Sequence, residues 1–154
     1  MERFFEKIKI IYVRPELSEH VGVRVGKAIN HVLSNIDLGK YDFLLKIDAD
    51  VAIPLDFIER CLRLEADLVG LGSFMLVRTK PFIRLLGGRW PEVPADDAYV
   101  MMCFRAAGLK TALWPKGVIL KRKSGGNWKY YYYRGICDFK IGLDPTREFL
   151  QLHH

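Results

Sequence analysis

The sequence predicts an α/β fold, a mixed sheet flanked by helices, in a single domain over residues 1–154. Segments rich in β-branched residues alternate along the chain with segments whose apolar residues recur at helical spacing, which is typical of this class. Half of the residues are hydrophobic, which is enough to form a substantial core.

The first half of the chain contains two predicted strands and two predicted helices. Residues 7–13 are rich in β-branched residues and predict a strand. Residues 25–34 carry apolar side chains at helical spacing, and residues 41–47 form a second apolar strand. Pro54 marks the start of a helix over residues 55–64, because proline is favoured in the first helical turn.

The second half begins with two short apolar segments, residues 67–71 and 73–78, which predict strands. Residues 80–94 are rich in proline and glycine and predict a loop with at most one short helix. Residues 95–107 predict a helix with one face formed by Tyr99, Met102, Cys103 and Ala106. Short strands are predicted at 111–113 and 118–120.

Composition narrows the class of protein. The net charge of +6 indicates an anionic partner, which a nucleotide diphosphate, a nucleic acid or a phospholipid surface would satisfy. The three cysteines form no zinc-binding spacing, and no apolar run approaches the roughly 20 residues that span a bilayer. With no secretory signal visible, a cytoplasmic location is predicted, with the inner face of the membrane as an alternative.

The most informative motif is Asp48-Ala49-Asp50, at the end of the second predicted strand. Ligands of α/β sheets bind outside the carboxyl ends of the strands, where both carboxylates would lie. Carboxylate oxygens suit Mg²⁺ or Mn²⁺, and either ion shares its ligand shell readily with phosphate oxygens. The alternative for a lone D-x-D match is a solvated turn.

Other motifs stand in order around this pair. GKAIN occupies residues 26–30, Pro54 follows the acids, an apolar strand segment begins at Gly70, and DDAYV at 96–100 precedes Arg105. Over residues 8–120 this order resembles the family 2 type of GT-A glycosyltransferases, which includes cellulose, chitin and hyaluronan synthases and dolichol-phosphate sugar transferases. The resemblance implies a Rossmann-like GT-A sheet and inverting sugar transfer from a nucleotide-sugar donor.

The resemblance also implies roles for single residues. Asp50 would be the main metal ligand, and Asp48 would contact the metal and the ribose or diphosphate. Asp97 would be the general base that deprotonates the acceptor hydroxyl. The alternative for Asp96 and Asp97 is capping of a helix N-terminus.

Further binding roles are expected on the same basis. Lys27 would reach the nucleotide or diphosphate, or else be a solvated helix lysine. Gly87, Gly88 and Asp96 would contact substrate, and Trp90 would stack on a sugar face or anchor a loop. Asn30, by contrast, is expected to cap a helix or bridge loops.

The C-terminal third is basic and aromatic. Lys121, Arg122 and Lys123 stand where many members place a metal-binding histidine, and they are expected to neutralise a diphosphate. Trp128 would line an acceptor channel, with contact to a membrane surface as an alternative. A competing function is therefore a non-catalytic module that binds nucleic acid or anionic membrane through this region.

The family normally begins with two further βα units, which hold most of the nucleoside pocket. Their absence here leaves two interpretations open: a fragment or split enzyme, or a shortened protein in which residues 7–13 pair in parallel with residues 41–47. The second interpretation leaves an exposed sheet edge, through which a homodimer is expected. The sugar, the nucleotide and the acceptor, which is a saccharide, lipid or protein hydroxyl, are left open.

Overall fold

A computed structural model of the protein describes residues 10–14, 16, 18–49 and 51–113. Asp50, Lys121, Arg122, Lys123 and Trp128 lie outside the described residues, as does the strand predicted at 118–120. In chain order the elements are α1 (Val21–Leu33), a 3₁₀ turn (Leu38–Lys40), β1 (Phe43–Ile47), α2 (Phe57–Leu62), β2 (Leu68–Leu71), β3 (Phe74–Arg78), α3 (Thr79–Leu86), α4 (Asp96–Ala106) and β4 (Thr111–Ala112).

The four strands form one mixed sheet in the order β1-β3-β2-β4. Strand β3 lies between β1 and β2 and is antiparallel to both, whereas β2 and β4 are parallel. Strands β1, β2 and β4 therefore run in the same direction, and their carboxyl ends meet at one edge of the sheet. The turn from β2 to β3 lies at that edge too, because β3 begins there.

The sheet separates two hydrophobic clusters, since alternate residues of each strand face opposite sides. Along β3, Met75 and Val77 belong to the larger cluster, while Phe74 and Leu76 belong to the smaller one. The larger cluster also takes side chains from α1, α3 and α4, which cover that face. The smaller one is closed by Phe57 of α2, whose ring meets the edge of the Phe74 ring at a centroid distance of 4.4 Å.

Helix α1 approaches the segment before α4 unusually closely. A Cβ atom on Gly26 would lie 2.5 Å from the backbone oxygen of Pro91, and one on Gly22 would lie 2.7 Å from that of Val93. Both positions are buried and one helical turn apart, so they form a stripe that only glycine can occupy without displacing the neighbouring backbone.

One turn further along α1, Asn30 extends the same contact through its side-chain amide. Its Oδ1 accepts from the Trp90 backbone N–H at 2.7 Å, and its Nδ2 donates to the Trp90 carbonyl oxygen at 2.9 Å. The amide thus pairs with both backbone groups of one residue, as a strand neighbour would. The bridging role expected of Asn30 is confirmed.

The α/β class and the mixed sheet are confirmed, and the predicted helices are present with shifted ends. The predicted strand at residues 7–13 does not form over residues 10–13, which are irregular. The neighbour of β1 is the antiparallel β3, so the predicted parallel partner is absent from the described part of the chain. A β-branched run predicts strand conformation but does not supply a partner to pair with.

The face of α4 that packs differs from the one formed by Tyr99, Met102, Cys103 and Ala106. Val100 and Phe104 are fully buried, whereas Tyr99 is 39% exposed. Apolar residues lie on several sides of this helix, so the spacing alone does not select a face. Contact with β2 and α1 makes the selection.

Candidate functional site

Strand β1 delivers Asp48 to the edge of the sheet where the β2–β3 turn lies. The backbone N–H of Asp48 donates to the carbonyl oxygen of Ser73 at 2.9 Å, which ties the end of β1 to that turn. The Asp48 carboxylate is partly exposed and pairs with the Lys46 ammonium, with 2.8 Å between Nζ and Oδ1. Lys46 and Asp48 are two residues apart, so the strand directs both side chains to the same face.

The Lys46 side chain is largely enclosed, with 12% of it exposed. Its Nζ also donates to the carbonyl oxygen of Gly72 at 2.6 Å. The ammonium therefore joins the carboxylate at the end of β1 to the backbone of the β2–β3 turn. The Asp48 carboxylate and the Gly72 carbonyl oxygen thus both already contact the Lys46 ammonium.

The turn itself is two residues long, Gly72-Ser73, between the paired residues Leu71 and Phe74. Gly72 has a φ of +74°. Among the described residues Ser73 is not one of those with positive φ, so the turn has the glycine position of type II′. A Cβ atom on Gly72 would lie 3.5 Å from Oδ2 of Asp97, so that carboxylate sits directly over the turn.

Asp48 and Asp97 are therefore neighbours of the same two-residue turn, although they are 49 positions apart in the chain. The sequence predicted that these two acids share a site, and their common contact with residues 72–73 agrees with it. Asp50, the third acid of the prediction, lies outside the described residues. The position of Asp97 depends on helix α4, whose first residue, Asp96, is fixed by a buried hydrogen bond.

Asp96, the first residue of α4, is 7% exposed and accepts a hydrogen bond from Nε1 of Trp90 at 2.6 Å. Burial raises the pKa of the Asp96 carboxyl, and neighbouring Asp97 raises it further. The Trp90 hydrogen bond and the Lys46 charge act in the opposite direction on that pKa. Asp96 was expected to contact substrate; because it is buried and occupied by Trp90, that prediction is wrong. Nor does it cap the helix, since the N-cap is Ala95.

Trp90 was expected to stack on a sugar, and this prediction is also wrong. The side chain is 1% exposed and packs against Phe82 in the larger cluster, with 6.0 Å between ring centroids. A ring buried in this way has no free face for a ligand. The alternative interpretation, a tryptophan that anchors a loop, is confirmed.

The glycine pair ends helix α3. Gly87 takes the left-handed conformation at the C-cap with a φ of +64°, and Gly88 follows with a φ of +73°. These backbone angles account for glycine at both positions without a ligand. The expected contact of Gly87 and Gly88 with substrate stays a prediction.

Lys27 lies on α1 and forms an ion pair with Glu19. The hydrogen bond that the Lys27 ammonium donates to Glu19 raises the pKa of Lys27, so the amine stays charged. Together with Asn30, Gly88 and Glu92, it lines a cavity of about 380 Å³ between α1 and the segment after α3. None of Asp48, Asp96 and Asp97 lines that cavity, so no described contact brings Lys27 to these acids.

No group of three or more His, Cys, Asp or Glu side chains is placed to hold a metal ion among the described residues, from which Asp50 is missing. The ligands that are present suit a hard cation, since the Asp48 carboxylate and the Gly72 carbonyl both offer oxygen. They already hold the Lys46 ammonium. Whether Mg²⁺ or Mn²⁺ binds here stays a prediction, because Asp50 lies outside the described residues.

Lys46 is the residue that sequence reasoning missed. The available signal was a charged residue inside an otherwise apolar strand, FLLKI, two positions before an acid. Alternation along a strand puts such a pair on the same face, which predicts an ion pair at the strand end.

Comparison of the chain with protein-family models, with curated proteins and with solved structures finds no match. In the part of the chain that the structure describes, every helix is too short or too polar to cross a bilayer.

Proposed function

We propose that the protein is a metal-dependent glycosyltransferase that moves a sugar from a nucleoside-diphosphate sugar to an acceptor hydroxyl with inversion. The observation that carries this proposal is that Asp48, through its backbone N–H, and Asp97, through its carboxylate, both lie against the Gly72-Ser73 turn. A strand-end acid and an acid from the first turn of a later helix share one sheet edge, as the resemblance to GT-A enzymes implies.

The proposed roles follow from the chemistry of each group. Asp50 and Asp48 would hold Mg²⁺ or Mn²⁺, which offsets the charge that develops on a leaving diphosphate. Asp97 would accept the proton of the attacking hydroxyl, because its carboxylate stands over the turn while Asp96 beside it is buried. Attack from the side opposite the diphosphate inverts the anomeric centre.

The donor half of the proposal is tested by calorimetry on the full chain with Mn²⁺ and a panel of nucleoside diphosphates. We expect metal-dependent binding that falls at least tenfold in Asp50→Asn and Asp48→Asn, since each change removes a charged ligand. Asp42→Asn is the matched control, because Asp42 is exposed and directly precedes β1, at the opposite end of that strand.

Absence of nucleotide binding at millimolar concentration would contradict the proposal for this chain. Salt-sensitive binding to single-stranded nucleic acid or anionic vesicles, unaffected by Asp50→Ala, would instead favour the non-catalytic module.

The catalytic half is tested with Asp97→Asn. An amide cannot accept the proton, so we expect release of nucleoside diphosphate from the nucleotide sugar to fall by about 10²–10⁴-fold. Binding of Mn²⁺ with nucleoside diphosphate should persist, since Asp97 is assigned no ligand role. An equal loss of binding and turnover in this variant would show that Asp97 acts on the donor instead of the acceptor.

A further inference from the structure

The Lys46 ammonium is already paired with the Asp48 carboxylate, which would have to be free in order to bind a metal ion. Its Nζ is 2.8 Å from Oδ1 of Asp48 and 2.6 Å from the Gly72 carbonyl oxygen. Lys46 is the fourth of the five residues of β1 and lies opposite Met75 of β3, and its side chain is largely enclosed. This is a fixed contact within one sheet, quite unlike the flexible ion pairs of an exposed surface.

Acidic residues lie near the turn that this ammonium contacts. Asp48 contacts the ammonium directly, Asp97 contacts the same turn, and Asp96 lies close enough for the Lys46 charge to act on it. Lys46 is thus paired with Asp48, and two further acids lie close to the turn that the ammonium contacts. A divalent cation that binds the Asp48 carboxylate would lie close to the Lys46 ammonium.

From this geometry we infer that Lys46 is a tethered cation that competes with the divalent metal for Asp48. Without metal, Lys46 neutralises Asp48 and holds it against the β2–β3 turn. When Mg²⁺ or Mn²⁺ binds, the ammonium must give up the Asp48 carboxylate or share it at a repulsive distance. Lys46 thereby raises the metal concentration that is needed to occupy Asp48. The inference rests on the metal site of the proposed function.

The test measures Mn²⁺ affinity by calorimetry, without nucleotide, in the full-length wild type and in Lys46→Met. Two positive charges roughly 4–5 Å apart repel strongly enough that removing one should tighten Mn²⁺ binding by about tenfold. Lys46→Arg keeps the charge and should bind Mn²⁺ within about threefold of the wild type.

Lys40→Met is the matched control for net charge. Lys40 is exposed, lies before the opposite end of β1 and has only a long contact with Asp37, at 3.7 Å between Nζ and Oδ2. The change removes the same formal charge as Lys46→Met, so it reports how much of any increase in Mn²⁺ affinity is due to the lower net charge of the protein alone. We expect its Mn²⁺ affinity to match that of the wild type.

A measurement on the wild type covers the case in which Lys46→Met does not fold. Acetylation by an amine-reactive ester, located by mass spectrometry, reports the availability of each lysine. Mg²⁺ should increase the labelling of Lys46 several-fold relative to Lys40, because the metal displaces the ammonium from Asp48. Unchanged relative labelling at saturating Mg²⁺ would overturn the inference.

The outcomes separate this inference from the proposed function. Unchanged or weaker Mn²⁺ binding in Lys46→Met overturns the inference, while metal-dependent nucleotide binding would still support the enzyme. Tighter binding in Lys46→Met, in a chain that binds no nucleoside diphosphate, supports the tethered cation and rejects the glycosyltransferase. If neither chain binds Mn²⁺, there is no metal to compete with and the inference is wrong.

Discussion

At the scale of single residues, the site depends on one buried contact, from Trp90 to Asp96. The indole donates to a carboxylate that is almost fully removed from water, and the next residue along the helix is the proposed base, Asp97. Asn30 holds the backbone of Trp90 from the other side. These three hydrogen bonds, two between Asn30 and Trp90 and one from Trp90 to Asp96, therefore set where Asp97 stands, and none of them requires a ligand.

A prediction follows for Asp96→Asn. Burial raises the pKa of Asp96 above its ordinary value of 3.8, so the folded state binds this proton more tightly than the unfolded state. The stability that Asp96 contributes is therefore present in acid and is lost as the pH rises through the raised pKa. Asparagine keeps an acceptor for Trp90 and does not titrate. In urea unfolding, the free energy of unfolding of the variant should increase relative to that of the wild type as the pH rises from about 3 to 7.

The control for this prediction is Asp96→Leu, which removes the acceptor. It leaves the Trp90 N–H buried and unpaired, so it should lower the free energy of unfolding by about 1–3 kcal/mol relative to Asp96→Asn at every pH. A constant difference between Asp96→Asn and the wild type across that pH range would mean that the buried carboxyl titrates as it does in the unfolded chain.

At the scale of elements, α1 positions α4 through its glycine stripe. Gly22 and Gly26 let the helix backbone approach the segment 91–96 without intervening side chains, and Asn30 completes the contact. The segment then enters α4 through Ala95, whose φ of +56° is left-handed. A helix that carries none of the proposed catalytic groups therefore decides the position of the one that does.

Gly26→Ala tests this arrangement. The added Cβ would meet the Pro91 backbone oxygen at 2.5 Å, so the helix or the segment must move. Alanine favours helix over glycine by about 1 kcal/mol, but steric overpacking typically costs about 1–3 kcal/mol, and we expect a net loss of unfolding free energy in urea.

In the matched control Gly39→Ala, the nearest atom to the new Cβ is a side-chain oxygen of the exposed Asp37 at 3.3 Å, which needs to shift by only a few tenths of an ångström. Its effect on unfolding should be small. A Gly26→Ala variant as stable as the wild type would show that the close approach is not required.

At the scale of the whole molecule, two clusters on opposite faces of one sheet hold the described residues together. Strand β1 is at one end of that sheet and is hydrogen-bonded only to β3 in the described part of the chain. Leu45 and Ile47 of this strand are partly exposed. The homodimer expected through a sheet edge stays a prediction.

Ligand binding should stabilise this whole unit. The proposed metal and diphosphate would bridge the end of β1 and the β2–β3 turn. These two segments lie side by side only in the folded state, so the ligand binds that state alone. At a ligand concentration of about 100 times Kd, the gain is about 2.7 kcal/mol, which corresponds to a rise in Tm of roughly 5–10 °C for a chain of this size. Thermal unfolding with Mn²⁺ and nucleoside diphosphate, compared with either alone, measures it. A rise of equal size in Asp50→Asn would place the ligand elsewhere.

The sequence by itself determined most of the elements and the position of one acid at a strand end. Apolar spacing and proline placement are local signals, so the helices at 21–33 and 96–106 and the strands at 43–47 and 74–78 were predictable within a few residues. Asp48 follows an apolar strand directly, which predicts its place at a sheet edge whatever the neighbours are.

The tertiary structure decided which residues are available to a ligand and which are internal. Trp90 and Asp96 form a hydrogen bond in the core because the surrounding elements bury both side chains, and the Lys46 ammonium is held by the Gly72 carbonyl of a turn that is distant in the chain. The antiparallel insertion of β3 beside β1, and the choice of the packed face on α4, likewise depend on partners. A local pattern states what conformation a segment prefers; burial and pairing depend on what the rest of the chain brings against it.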